Sequence, residues 1–444
     1  MKYIPNTREQ LEEMLKTIGV SSFEELIKDI PESLRFKGDL NIKGPLSEDE
    51  LISYIRSIEK ENADFASLKP LVGAGSYKHF VPSVIRTILS REEFYTAYTP
   101  YQPELAQGTL QTMFEVQTHL GRLTGFDAVV PSIYDGASAT AEAVLMAMRL
   151  TGKNRVVVSG LLNPQYLETI RTYTTPHKTE IVEIPYDNNL TSLQKLKDIL
   201  NSETAVVVIQ SPNFFGGIED VEAFSKVVHE SKALLLQVVT ESLSLALLKS
   251  PAELGVDIVA GEAQSFGIDL NFGGPYNGYL ATKMEFVRQL PGRIAGETVD
   301  RNGKRAFVMT LRAREQDIKR EKATSNLCTS HNLNLYAIDA YLSLFGKEGL
   351  YEVALYNTKA AHYLRKKLLE TPHFKGVDYP FFNEFVLNTD LTEEEIKERL
   401  LKIDVIPPLK LSNYFEGLVD SYLFAVTEVF SKEDLDNIVD ALGR

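Results

Sequence analysis

Tryptophan is absent and cysteine occurs once, at Cys328, in a chain of 444 residues. A lone thiol excludes an internal disulfide framework, and no Cys-x-x-Cys pair or Cys/His cluster is present to hold a structural metal. That cysteine usage fits a reducing cytoplasm. Positive charge is scarce as well: 47 Lys and Arg against 61 Asp and Glu leave a formal net charge of -14. Phosphate backbones and anionic lipid require clustered cations, so nucleic acid and membrane are not expected partners, and proteins and small molecules are. No uninterrupted apolar run approaches the ~20 residues of a membrane span. The start, Met1-Lys2-Tyr3-Ile4-Pro5-Asn6-Thr7, lacks the apolar stretch of a signal peptide, so a soluble, unprocessed chain is expected.

What is present is length beyond the reach of one hydrophobic core, which implies a large central domain with smaller terminal pieces. The first 60 or so residues read as short helices opened by Ser/Thr-x-x-Glu/Gln boxes at Thr7/Gln10, Ser21/Glu24 and Ser47/Glu50, with Gly19 stopping the first. Leu11, Met14, Leu15 and Ile18 fall at helical spacing in this acidic arm, so it must pack against its own body or another subunit.

From about residue 120, β-branched runs at 156–158, 181–184, 205–209, 234–239 and 257–260 alternate with helical stretches at 164–173, 191–200 and 219–230. Continuous apolar strands separated by helices imply a mostly parallel sheet covered on both faces, an α/β architecture. A helical region from Asn332 to Glu370 follows. The tail then alternates between strands at Phe385-Val386-Leu387 and Tyr422 to Val426 and helices from Thr392 and after Ser431, which predicts a small α+β domain. The expected division is an N-terminal helical arm over 1–65, a large α/β domain over 66–330, and connecting helices with a small C-terminal α+β domain over 331–444.

The densest unusual segment is Phe94-Tyr95-Thr96-Ala97-Tyr98-Thr99-Pro100-Tyr101-Gln102-Pro103-Glu104. Two prolines fix φ and remove donors, so it reads as a rigid loop holding hydroxyl and carboxyl groups in place, as loops lining binding sites do. The alternative is a surface loop whose tyrosines only pack and cap. Asp135-Gly136-Ala137-Ser138-Ala139-Thr140 opens an Ala-rich helix running through Leu150, where free amides and small side chains suit a phosphate or a plain Ser/Thr cap.

The run from Tyr95 to Glu104, followed by Gln107-Gly108, resembles the signature of glycine decarboxylase P-proteins. Leu290 to Gly296 and Thr310 to Thr329 look like two further blocks of that family, and Tyr3-Ile4-Pro5-Asn6-Thr7 resembles its opening. Together these blocks span nearly the whole chain in order. The layout is correspondingly similar to fold-type I pyridoxal-phosphate enzymes, an outline that many other enzymes share. In some members one long chain carries both halves of the enzyme, and in others two chains of about the present length do, so the resemblance implies one half.

Which half is decided after Asp257. In the family's cofactor-bearing half a His-Lys pair precedes a glycine-rich stretch, and that lysine condenses with the cofactor aldehyde. Here Gln264-Ser265 stands in that place, ahead of Asn271-Phe272-Gly273-Gly274-Pro275. Neither an amide nor a hydroxyl can condense as a primary amine does. The strand at 234–239 leads into Thr240-Glu241-Ser242 in place of the Asp-x-Ala that would pair with the pyridine nitrogen. The resemblance therefore implies a chain without covalently bound cofactor, whose pyridoxal phosphate sits on a partner P-protein subunit 2 in an assembly of two plus two chains. The whole would decarboxylate glycine and transfer the aminomethyl unit to the lipoyl group of H-protein.

By the same resemblance, Tyr95, Tyr98, Gln102 and Glu104 are the candidates to orient substrate or cofactor or move a proton. Thr324, Ser325, Asn326 and Lys322 are the candidates to reach the partner's cofactor phosphate, with Arg314 adding charge nearby. Read without it, Arg312, Arg314, Lys319, Arg320 and Lys322 form a solvated basic face. Cys328 reads as a small buried residue, and His79 and His331 as loop or helix-start residues. Rival readings are an autonomous pyridoxal enzyme using another lysine such as Lys283, and a purely structural subunit.

Overall fold

The structure, a computed structural model, describes residues 6–96, 98–271 and 273–443. Tyr3, Ile4 and Pro5 of the opening motif, Ala97 of the tyrosine loop and Phe272 lie outside them. The chain divides into two compact units, residues 1–64 and 65–444.

In the first unit, α1 (Arg8–Ile18) and α2 (Glu48–Glu59) start at the expected capping boxes on Thr7 and Ser47, and Gly19 ends α1 at φ +88°. The middle box lies one residue later than the sequence suggested. Ser22 accepts from the Glu25 amide, and Glu25 accepts from the Ser21 amide at 2.7 Å, because the helical turn begins at Phe23. No residue of α1 or α2 is buried.

The second unit is built on a seven-stranded sheet, with α3 (Ser83–Leu89) and α4 (Gln107–Thr124) preceding it. In chain order the strands and the helices between them are β1 (Ala128–Ile133), α5 (Gly136–Thr151), β2 (Arg155–Ser159), α6 (Pro164–Thr174), β3 (Glu180–Ile184), α7 (Leu193–Ile199), β4 (Thr204–Gln210), α8 (Val221–Glu230), β5 (Leu234–Val239), β6 (Ile258–Glu262) and β7 (Gly278–Thr282). The spatial order is β1-β7-β6-β5-β4-β2-β3. Every pairing is parallel except those of β7, which runs antiparallel to both its neighbours. The interior parallel strands β4 and β5 are apolar runs because helices cover both faces, whereas the edge strand β3 exposes Glu180 and Glu183. One face packs Leu110 and Val116 of α4, Phe224 of α8 and Ile338; the other packs Val144 of α5 with Tyr166 and Ile170 of α6.

A hairpin, β8 (Ile294–Val299) and β9 (Arg305–Thr310), leads through short turns to the 38-residue α9 (Asn332–Leu369), kinked at Gly346. The end of α9 packs Leu364 and Leu368 under an antiparallel sheet of β10 (Phe374–Lys375), β11 (Glu384–Thr389), β12 (Leu409–Lys410) and β13 (Ser421–Ala425), in the order β10-β11-β13-β12. Phe385 and Phe424 stack across it at 5.4 Å. Two strands were expected here and four form; the additional pair are two-residue segments too short to leave a pattern. Helices α10 (Glu393–Leu401) and α11 (Lys432–Leu442) start at capping boxes on Thr392 and Ser431.

Candidate functional site

In a parallel sheet the carboxyl ends of the strands face the crevice in which ligands bind. At this edge lie Asp135 and Gly136 after β1, Glu241 after β5, Glu262 at the end of β6, and Gln264 and Ser265 just beyond it. The segment 73–79 fills the crevice. The Tyr77 amide donates to Gln264 Oε1 at 3.0 Å, and Gln264 Nε2 returns to the carbonyls of Tyr77 (2.9 Å) and Ile268 (2.7 Å). Glu384 of β11 accepts from the Ala74 amide at 2.6 Å and the Tyr77 hydroxyl at 2.8 Å. Burial pushes its carboxyl up to about 7. This close approach needs glycine at position 73, where a Cβ would stand 2.5 Å from Glu384 Oε1.

His79, read from sequence as a loop residue, is the centre of a buried ion cluster. Its Nε2 lies 2.9 Å from Glu241 and its Nδ1 2.9 Å from Glu428. Burial alone would lower the imidazole, but the Glu428 and Glu241 carboxylates outweigh it and lift it to about 10. Glu241 is thereby committed to a side chain of its own subunit. Ser265 is fully buried and its hydroxyl has no hydrogen-bond partner among the described residues. Asp135 caps α5 by accepting from the Ser138 amide at 2.7 Å, and Glu262 accepts from the Gly136 amide at 2.9 Å, so two carboxylates stand at the helix terminus where a phosphate was considered.

The residues singled out from the family blocks lie elsewhere, on two loops that Arg293 joins. Its guanidinium donates to the Tyr101 hydroxyl at 2.9 Å and to the Cys328 carbonyl at 2.5 Å, and it faces Glu315 at 3.3 Å while only 6% exposed. Asn332, opening α9, donates to the Tyr98 carbonyl at 2.8 Å. The tyrosine loop thus lies against the 324–329 loop. Tyr98, Tyr101 and Gln102 line one pocket of about 580 Å³. Thr324, Ser325 and Asn326 line another of about 750 Å³ with Tyr134, Glu142 and Arg149. Tyr95 and Glu104 are exposed and line neither. Lys322 is exposed.

The Ser325 hydroxyl is already engaged, donating to Glu142 at 2.8 Å and accepting from the Leu327 amide at 3.1 Å. Cys328 is exposed rather than buried, because its backbone is spent on Tyr134 and Arg293 and its side chain faces out. The basic block is not uniformly solvated: Arg314 hydrogen-bonds the Leu290 carbonyl, whereas Arg312 pairs with Asp317 at 3.0 Å. Lys283 follows β7 at the opposite edge of the sheet, paired to Asp257 at 2.5 Å. Among the described residues no His, Cys, Asp or Glu group could hold a metal ion, and no helix is long and apolar enough to cross a membrane.

Arg293, Glu262, His79 and Glu142 were missed by the reading of the sequence. Only Arg293 lay in a recognised block, and its burial left no separate mark there.

The chain is 47% identical over its whole length to the probable glycine dehydrogenase (decarboxylating) subunit 1 of Desulfitobacterium hafniense, all of which it covers. It is 44% identical to the protein of that name from Geobacillus thermodenitrificans, covering 98% of it. The crystal structure of an inhibitor-bound glycine decarboxylase (P-protein) of the glycine cleavage system superposes with a TM-score of 0.88 at 39% identity, over 100% of this chain and 99% of that one. A sphingosine-1-phosphate lyase from Burkholderia pseudomallei, 15% identical with a TM-score of 0.67 over 93% and 94% of the two chains, shares the fold. The profile of the glycine cleavage system P-protein matches residues 1–442, and the chain belongs to that family.

Proposed function

We propose that this chain is the subunit without covalent cofactor in a two-subunit glycine decarboxylase. The observation that carries the reading is Ser265. Where the cofactor-bearing half presents an amine, this chain presents a fully buried hydroxyl just beyond β6. The surroundings agree. Glu241 is held by His79, segment 73–79 fills the crevice, and Glu262 and Asp135 take the α5 amides, so the residues at this edge do not fit pyridoxal phosphate.

The cofactor is then held by the partner subunit, where it supplies the electron sink for loss of the glycine carboxyl group. This chain supplies side chains across the interface. Tyr95, Tyr98, Gln102 and Glu104 orient the substrate side, while Thr324, Ser325, Asn326 and Lys322 face the cofactor phosphate. Arg293 holds the two loops in one arrangement. The assembly is two of these chains with two cofactor-bearing chains in a reducing cytoplasm, and the lipoyl arm of H-protein takes the aminomethyl group.

Purified alone and mixed with pyridoxal phosphate, the chain should give no visible band that borohydride fixes to the protein. Reconstituted with a partner carrying the His-Lys pair, it should support glycine decarboxylation. A fixed band on the isolated chain would favour an autonomous enzyme, a reading Lys283 serves poorly from the far edge of the sheet. Full activity of an intact assembly carrying Tyr95→Phe or Thr324→Ala would favour a scaffold role.

A further inference from the structure

The carboxylate of Glu262 is the meeting point of backbone amides from separate parts of the chain. The Gly136 amide, at the first residue of α5, donates to Oε2 at 2.9 Å; those of Gln264 and Asn277 donate to Oε1 at 3.1 and 3.0 Å. They belong to the turn after β1, the turn after β6 and the approach to β7. Glu262 itself is 2% exposed.

Capping of α5 accounts for only one of the three contacts: Asp135, the N-cap, accepts from the Ser138 amide and leaves the Gly136 amide to Glu262, whereas the Gln264 and Asn277 amides belong to no helix. Glu262 brings a second carboxylate to this terminus, delivered from a different strand, and gathers on it amides that a helix cap does not reach. Converging backbone amides at a helix N-terminus, on the carboxyl edge of a parallel sheet, are how α/β proteins hold the phosphate of a ligand. Glycine at 136 lets the neighbours close in, since a Cβ there would stand 2.2 Å from the Tyr166 hydroxyl and 3.1 Å from Glu262 Cβ.

We propose that these amides form a phosphate cup whose anion is built into the chain, the Glu262 carboxylate standing where a phosphate monoester would otherwise bind. The side chain keeps α5, β6 and β7 in the arrangement a bound phosphate imposes, and it closes the cup to free phosphate. This rests on the reading that the subunit carries no cofactor of its own, but its test needs no partner subunit and no activity.

The test removes the carboxylate and offers the anion back. Full-length wild type, Glu262→Ala and Glu262→Ser are melted in inorganic phosphate, in formate and in chloride of equal ionic strength. About pH 8 is used, above the value of about 7 to which burial pushes the Glu262 carboxyl. Wild type sets the non-specific salt effect, because phosphate stabilises folded proteins in general by exclusion from their surface. Both variants should melt lower in chloride and, beyond the shift shown by wild type, regain roughly 1–3 °C, saturably, in phosphate. A variant that is soluble only when phosphate is present supports the assignment equally.

Variants that gain no more from phosphate than wild type does, or that aggregate alike in phosphate and chloride, would overturn it, and so would rescue by formate with phosphate inert, which marks a hole cut for a carboxylate. A cofactor band on the isolated wild-type chain would instead sink the proposed function, so the two failures are distinguishable.

Discussion

His79 Nε2 lies 2.9 Å from Glu241 Oε2, and both side chains are 1% exposed. Glu428, just beyond β13, closes the other face of the imidazole at 2.9 Å, so one cation ties the end of β5 to the C-terminal sheet. Removing one partner from a buried ion cluster leaves uncompensated charge and costs about 3–5 kcal/mol. His79→Ala is therefore expected to lower the stability of the chain by that amount in denaturant titrations. A loss below about 1 kcal/mol would mean that the two carboxylates find other partners.

The same contact carries a pH signature. The folded imidazole is lifted to about 10, above its ordinary value near 6.5. Its contribution is therefore complete below about pH 6.5 and is lost as pH rises towards 10. The stability gap between wild type and His79→Ala should shrink over that window, and a gap constant with pH would refute a charged imidazole.

Glu384 titrates with a comparable sense in a lower range. Burial raises its carboxyl to about 7, so its protonated form favours the folded state and that support fades between about pH 4.5 and 7. Glu384→Gln keeps the shape without the charge. Relative to wild type it should gain about 1–3 kcal/mol between pH 4.5 and 8. Parallel stability curves across that range would contradict this.

Segment 73–79 fills its crevice only if position 73 has no side chain. A Cβ there would meet Ala425 Cβ at 2.6 Å and Tyr77 Cε1 at 2.8 Å as well as Glu384. Overpacking of this kind costs about 1–3 kcal/mol, so Gly73→Ala should shift the denaturation midpoint accordingly. An unchanged midpoint would show that the segment yields freely.

Arg293→Lys tests whether the two loops act together. An ammonium cannot span Tyr101, Cys328 and Glu315 as the planar guanidinium does. With loop geometry loosened, the reconstituted enzyme should lose roughly 10–100-fold in kcat/KM while the subunits still assemble. Unchanged kinetics would remove Arg293 from the functional account.

Local pattern made much of the fold legible. The β-branched runs of β2, β4 and β5, the capping boxes on Thr7 and Ser47 and the helix starts at Thr392 and Ser431 all form where the sequence placed them. β7 escaped because Gly-Tyr-Leu-Ala-Thr has little β-branched character, and its antiparallel insertion between β1 and β6 is a tertiary fact. The hairpin β8–β9 was hidden for a different reason: Ile294 to Gly296 and Thr310 fall in blocks read for family likeness, and the residues between them were given no structural reading. The site divided in the same way. The Gln264-Ser265 pair on which the proposed function turns is visible in one dimension. The ion cluster is not, since His79 and Glu428 are separated by 349 positions and nothing local marks either as buried. Glu262 resembles any surface acid until the amides of Gly136 and Asn277 are seen around it.

Cys328 is the one thiol of the chain, it is exposed, and it sits in the loop that Arg293 ties to Tyr101. A thiol-reactive fluorophore therefore goes to a single address beside the two candidate loops, with no tryptophan emission behind it. The chain carries its own reporter position: the colour and mobility of a dye at Cys328 follow whatever approaches that face, without any residue having to be engineered.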